Sequence, residues 1–527
     1  MKTLICNGLV YDGSLNDPIK ADILLEDNRI ARIGLDIKDD GAALVDASGL
    51  IVTPGFIDIH RHADLRVFFE EFGTVELAQG ITSTNVGVCG FSLAPHRQHT
   101  QDLYKYLMAI TGPASSAQTY PSIEDYLNHL RHTKLPLNIS TTQGLAAIRV
   151  AVKGYDSPPF TKEEMTAAQA LVQEAIDAGI IGFTAGLVYQ PEIYNSTEEI
   201  IELLKPCKGK GLLYMPHMRN EGDKLVEAVA ESIRIAKECE MSLNISHFKA
   251  LGKPNWGKKI DEAIALIEQA RKKGLDVTVD FYPYHGVATT LATQLPPSFV
   301  QDGVQATIAT LKDPAQVNKL RSVLSKTKGE MPLDFRWQNT IISSVTRDDN
   351  RKYLGKSLKE GASIGNYEDE IAFMADLLYS EEGMVCTVGL FLDPADIEKV
   401  VRLPYSMLIS DSLYDVTDTP HPRLYGSFPR LIRKYVLEDK VLTLPEAIHK
   451  MTMMPAERLK LKKRGQIKEG YFADLCLFDP KSFKDNATFE RSNLLATGMK
   501  QVYVNGEIAY SDKTPKAKAG VCLIEGK

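Results

Sequence analysis

Short apolar runs recur along the middle of this chain. Most are followed by a stretch with apolar residues at helical spacing. The runs GFIDIHRH, ITSTNVGVC, LNISTTQG, GIIGFTAGL, GLLYMPHM, MSLNISHF, LDVTVDFYPY and YSMLISDS predict eight strands. Amphipathic stretches such as KLVEAVAESIRIAKECE and KIDEAIALIEQARKKG predict the helices between them. Eight strand–helix units predict an α/β fold of the TIM type, a closed (β/α)8 barrel over residues 54–463. Closure leaves no strand edge unpaired.

The two ends of the chain read differently. Residues 1–53 and 464–527 contain short strands with turns and too little apolar length for a large core. Both ends are therefore expected to meet in one small β-sandwich beside the barrel. The spacing breaks once, between predicted strands 7 and 8. Residues 285–404 are far more than a crossover helix needs, which predicts an insertion, a small subdomain or lid over one end of the barrel. The tail TPKAKAGVCLIEGK gives no reading.

Composition narrows the partners. Hydrophobic residues make up 44% and charged residues 24% of 527, values of a soluble globular protein. A net charge of −7 with no long run of either sign argues against nucleic acid or an anionic membrane, since both need a basic face. Seven thinly scattered cysteines do not make a disulfide framework and fit a reduced, cytoplasmic protein. The N-terminal apolar run is too short for a signal peptide, and no stretch is long enough to span a bilayer. A small molecule is the expected partner.

Each predicted strand ends on a polar or metal-seeking residue: His60 and His62, Cys89, Gln143, His217, His247, Tyr282 with Tyr284, and Asp411. Strand C-terminal ends converge on the face of such a barrel that carries chemistry. His60 and His62 obey the strand period of two, so their rings point the same way. His217 and His247 are about one strand-plus-helix repeat apart, on neighbouring strands at similar height. A lone strand-end histidine is more often structural than a ligand. A lone cysteine is most often simply buried, and Asp411 could cap the next segment. Together, Cys89, His60, His62, His217, His247 and Asp411 are enough for one or two metal ions.

With these residues in hand, the chain resembles the amidohydrolase superfamily and, within it, the N-acyl-D-amino-acid deacylases (D-aminoacylases). The resemblance runs over nearly the whole chain, through VDASGLIVTPGFIDIHRH, QGITSTNVGVCGFSLAP, GFTAGLVY, PHMRNEGD, ISHFKALGKPNWGK, SDSLYDVTDTPHPRLYGSFPR and GYFADLCLFDP. It implies that Cys89, His217 and His247 form a tight zinc site and that His60, His62 and Asp411 surround a second, weaker one. Thiolate with imidazole suits zinc, and three protein ligands leave a position open for water. The implied reaction is hydrolysis of an N-acyl-D-amino acid to a carboxylate and a free D-amino acid. Zinc would activate the water, and Asp411 would act as general base and then acid. Lys249, Tyr282 and Arg423 would hold the substrate carboxylate. The fold often associates, so a homo-oligomer is expected.

Three blocks depart from the family pattern. Leu145 stands where a histidine is usual. His285 and Val287 replace a small polar residue and a serine, and Val88 replaces the asparagine of GNCG. All three blocks are expected near the substrate, and none removes a candidate ligand. Two other functions remain open. One is a cyclic-amide hydrolase resembling hydantoinase or dihydroorotase; the other is a metal-free scaffold of the same fold. Cys89 in place of a bridging lysine, with Lys249 and Arg423, favours the acyclic substrate. Retention of all six ligands argues against the scaffold.

Overall fold

A computed structural model describes residues 2–97, 103, 109, 119–300, 303–326, 331–414 and 419–524. Residues 415–418 of the SDSLYDVTDTPHPRLYGSFPR block and 525–527 of the tail lie outside the described residues.

The eight runs form parallel strands: β1 (Phe56–Asp58), β2 (Ile81–Val86), β3 (Asn138–Thr141), β4 (Gly182–Gly186), β5 (Leu213–His217), β6 (Ser242–Ile245), β7 (Val277–Phe281) and β8 (Ser406–Leu408). Almost every residue in them is buried, as expected where helices cover one face and neighbouring side chains fill the barrel. Fully burying a residue such as Phe183 contributes about 1.5–3 kcal/mol.

The hydrogen-bonded sheet falls into two pieces. One joins β1, β2 and β3; the other runs from Gln143–Gly144 through β4 to β8. LNISTTQG is thus two short strands rather than one. Its break at Thr142 is bridged by Thr142 N–H donating to Val86 O at 3.0 Å. Phe183 and Thr184 of β4 then pair with Gln143 and Gly144. The other seam is stitched by Asp411 N–H to His60 O (3.0 Å) and His62 N–H to Ser412 O (3.1 Å). Closing the barrel therefore fixes three candidate site residues against one another.

Both chain ends contribute to one sheet of nine strands among the described residues. Ile51–Pro54 pairs antiparallel with Leu475–Phe478. Ile5, Ile23, Ile30, Leu475, Leu477 and Tyr503 make its buried core. In hydrogen-bonding terms the expected two-layer sandwich is a single continuous sheet. The unread tail returns to the barrel: Gly520 N–H bonds Leu135 O, and Leu523 N–H bonds Ile139 O in β3.

The insertion has its own antiparallel sheet, Val287–Thr290, Thr340–Ser344 and Cys386–Gly389, with Cys386–Gly389 in the middle. Its separate core includes Leu320, Ile342, Leu358, Phe373 and Leu378. The expected boundary at 404 is too late. The helix Pro394–Arg402, capped by Asp393 accepting from Ala395 N–H, buries Val400 and Val401 in the barrel's core. That helix is the crossover into β8.

Candidate metal centre

Three residues at the strand ends hold a left-handed backbone: Cys89 (φ 52°), His247 (φ 34°) and Asp411 (φ 49°). This conformation is uncommon outside glycine and costs on the order of 1–3 kcal/mol per residue. Packing around the barrel mouth must enforce it at all three. Cys89 sits between glycines that have no room for a side chain. A Cβ on Gly87 would stand 2.0 Å from Thr142 O, and one on Gly90 would stand 1.9 Å from Glu192 Oε2.

All six predicted ligands converge. Cys89 Sγ lies 3.2 Å from His60 Nε2, 3.5 Å from His247 Nε2 and 3.8 Å from His217 Nδ1. Asp411 Oδ1 lies 3.4 Å from both His60 Nε2 and His62 Nε2. The grouping differs from the expected one. His60, not His217, is the imidazole nearest the thiol, and it belongs to two groups: His60–Cys89–His247 and His60–His62–Asp411. His217 and His247 form a third with Glu221. His60 follows β1, beside β2 and its Cys89 turn, so it can face the thiol and Asp411 at once.

The donor set fits a transition metal. One soft sulfur and four imidazoles, all buried, suit zinc or copper and leave little for magnesium or calcium. Metal binding requires the thiolate. Burial alone would push the Cys89 thiol up, yet His60 and His247 outweigh it and hold the thiol well below its usual value. His247 is oriented for ligation: its Nδ1 lies 2.9 Å from Glu221 Oε1, leaving Nε2 toward Cys89. A carboxylate on the far nitrogen of a ligating histidine fixes ring and tautomer. Asp280 braces the same region, accepting from Asn244 Nδ2 at 2.6 Å and from the His247 backbone N–H.

Glu221 is a candidate residue that the sequence did not single out, placed by the structure against His247 and Lys249. Burial disfavours its charge, but Lys249, His217 and His247 bring its carboxyl down to about 2. The available signal was its place four residues after His217, within PHMRNEGD. Asp411 follows the same logic. Burial opposes its charge, and Arg423 with His247 holds it well below the usual carboxylate range. In return, His62 is raised to about 9 against its own burial, chiefly by its bond to Asp411.

A cavity of about 220 Å³ opens over these groups, and Lys249, Tyr282 and Arg423 all line it. Each is already engaged. Lys249 Nζ lies 2.5 Å from Glu221 Oε1. Arg423 Nη1 lies 2.8 Å from Asp411 Oδ2, its guanidinium carbon 4.8 Å from the Tyr282 ring centre. Arg423 Nε is buried without a hydrogen-bond partner, which leaves one donor for a ligand. Of the three departing blocks, only Val287 lines the cavity. Val88 and Leu145 are fully buried away from it, and the half-buried His285 packs on Phe489 at 4.9 Å. Their expected place beside the substrate is not where the structure puts them.

The sequence profile of the amidohydrolase family matches residues 407–510. A D-aminoacylase from Alcaligenes xylosoxydans xylosoxydans is 33% identical over 97% of this chain and 94% of its own. Among solved structures, the N-acyl-D-glutamate deacylase of Bordetella bronchiseptica, complexed with zinc and a phosphonate inhibitor, superposes with a TM-score of 0.84. It is 28% identical and 99% of each chain is covered. A D-aminoacylase with a binuclear metal centre superposes at 0.83, with 30% identity and the same coverage.

Proposed function

The chain belongs to the D-aminoacylase family of amidohydrolases, and we propose that it uses zinc to hydrolyse N-acyl-D-amino acids to a carboxylate and the free D-amino acid. The observation that carries this reading is the convergence of Cys89 with His60, His217 and His247 beside the Arg423–Asp411 pair.

Cys89, His60, His62, His217, His247 and Asp411 are the residues that would hold metal. When bound, zinc supplies a Lewis acid that activates water and polarises the scissile carbonyl. The chain's own groups do the rest. Asp411 Oδ1 takes the proton of the attacking water and delivers it to the departing nitrogen, while Oδ2 stays on Arg423 Nη1. Glu221 keeps the His247 ring in register. The substrate carboxylate docks where Arg423, Lys249 and Tyr282 line the cavity, taking a single hydrogen bond from Arg423 Nε, since Nη1 is held by Asp411, and Lys249 adds a point charge. This grip sets the scissile carbon over the Cys89 and histidine cluster, on the open side of Asp411.

The test is turnover by the full-length, zinc-loaded protein on N-acetyl-D- and N-acetyl-L-amino acids beside hydantoins and dihydroorotate. The reading expects free amine from the D series. Opening of the rings alone would replace it with the cyclic-amide activity.

A further inference from the structure

A second cavity, of about 240 Å³, adjoins the first. Val188, Tyr189 and Thr293 line both. The walls beyond them include Ile193, Leu295, Val300 and Val304, and no charged side chain lines this space among the described residues. Neither volume alone reaches the roughly 300 Å³ at which small-molecule sites begin, whereas the two joined do.

The direction of the extension is informative. The carboxylate grip comes from residues after β6 (Lys249), β7 (Tyr282) and β8 (Arg423). Tyr189 follows β4 and stands on the other flank of the metal-binding residues, its ring 4.9 Å from that of His217. In an N-acyl amino acid the acyl chain leaves the scissile carbon on the side opposite the nitrogen and the carboxylate-bearing carbon. With the carboxylate at Arg423, the acyl chain points at Tyr189. The side chain branches from the carbon next to the carboxylate, and this pose leaves it the first cavity, which Leu251 and Phe391 line.

We propose that the cavity walled by Leu295, Val300 and Val304 is an acyl-chain subsite, which makes this chain a deacylase of D-amino acids carrying medium-length to long fatty acyl groups. The inference rests on the deacylase reading above and adds the class of acyl group to it. Each methylene buried in such a space is worth about threefold to fourfold in affinity.

The experiment measures kcat/KM of the full-length, zinc-loaded protein on N-acetyl- and N-octanoyl-D-leucine, and on N-acetyl-D-alanine and N-acetyl-D-phenylalanine. The expected result is an octanoyl preference of at least tenfold, carried mainly by KM. Ala306→Phe, at an exposed wall position, should lower the octanoyl-to-acetyl ratio at least fivefold. Val304→Trp is a second way to narrow the space and should do the same. If acetyl substrates turn over without an octanoyl preference, or if neither variant moves the ratio, the subsite is refuted and the deacylase reading stands. If the variants depress the phenylalanine-to-alanine ratio instead, the space holds the side chain and the proposal is again refuted. If no N-acyl-D-amino acid turns over, both readings fall.

Discussion

Arg423 Nη1 and Asp411 Oδ2 are 2.8 Å apart, and both side chains are almost wholly removed from water. The pair joins the proposed proton carrier to a residue of the proposed carboxylate grip, so a single change should affect rate and binding together. Burial alone would raise the Asp411 carboxyl; Arg423 and His247 bring it down. In Arg423→Met, the acid limb of the kcat/KM profile should therefore move to higher pH, by about one unit or more, and KM should rise. A limb that stays in place would show that Asp411 is not the group being read. Asp411→Asn should cost about 10²–10⁴ in kcat.

Glu221 Oε1 touches both His247 Nδ1 and Lys249 Nζ. Removing its charge should loosen His247 as a ligand. Glu221→Gln should weaken metal affinity about 10- to 100-fold, the usual cost of losing a carboxylate behind a ligating histidine. Competition with a chromogenic chelator measures this directly. Unchanged affinity would limit Glu221 to a structural role.

Val287 lines the cavity over the candidate metal ligands, at a position where the family pattern has serine. Val287→Ser offers a hydroxyl to the substrate carboxylate. KM for N-acetyl-D-leucine should fall by roughly tenfold if that bond forms, since hydrogen bonds to charged groups contribute about 1.5–3 kcal/mol. Steady-state kinetics on the single variant settle the point.

Glu192 lies under the cysteine turn, wholly buried, and its Oε2 accepts from Gly186 N–H at 2.7 Å. Burial pushes its carboxyl up to about 8. The folded protein therefore keeps a proton that the unfolded chain releases near pH 4.3. This contribution is complete below that pH, is lost as pH rises through about 8, and then levels off. Glu192→Gln removes the dependence. Relative to the wild type it should gain stability from pH 5 to pH 8, by up to roughly 4 kcal/mol. Denaturant unfolding at several pH values would show a constant difference if Glu192 were not protonated in the fold.

The barrel was legible in the sequence because short runs rich in β-branched residues, such as ITSTNV and VTVDF, recur with amphipathic helical stretches between them, even though their buried residues include polar ones. The convergence of the candidate residues was legible for a related reason: charge and imidazole directly after such a run all fall at one end of the barrel. Partition of the ligands was not legible. Whether His60 or His217 faces Cys89 more closely depends on ring rotation and on the left-handed turns at Cys89, His247 and Asp411, which leave no mark in residue spacing. Nor could sequence separate Val287 from Val88 and Leu145, since nearness to a motif does not say which way a side chain points. Glu221 stayed hidden because one acid in a polar loop looks like any other until its partners are placed.

X-ray absorption at the zinc edge of the purified, zinc-reconstituted protein reads out which atoms surround the metal. Bound zinc should show one sulfur neighbour at about 2.3 Å and nitrogen or oxygen neighbours at about 2.0–2.2 Å, the sulfur contribution vanishing in Cys89→Ser. A zinc shell of nitrogen and oxygen alone in the wild type, or a protein that retains no zinc, would contradict it.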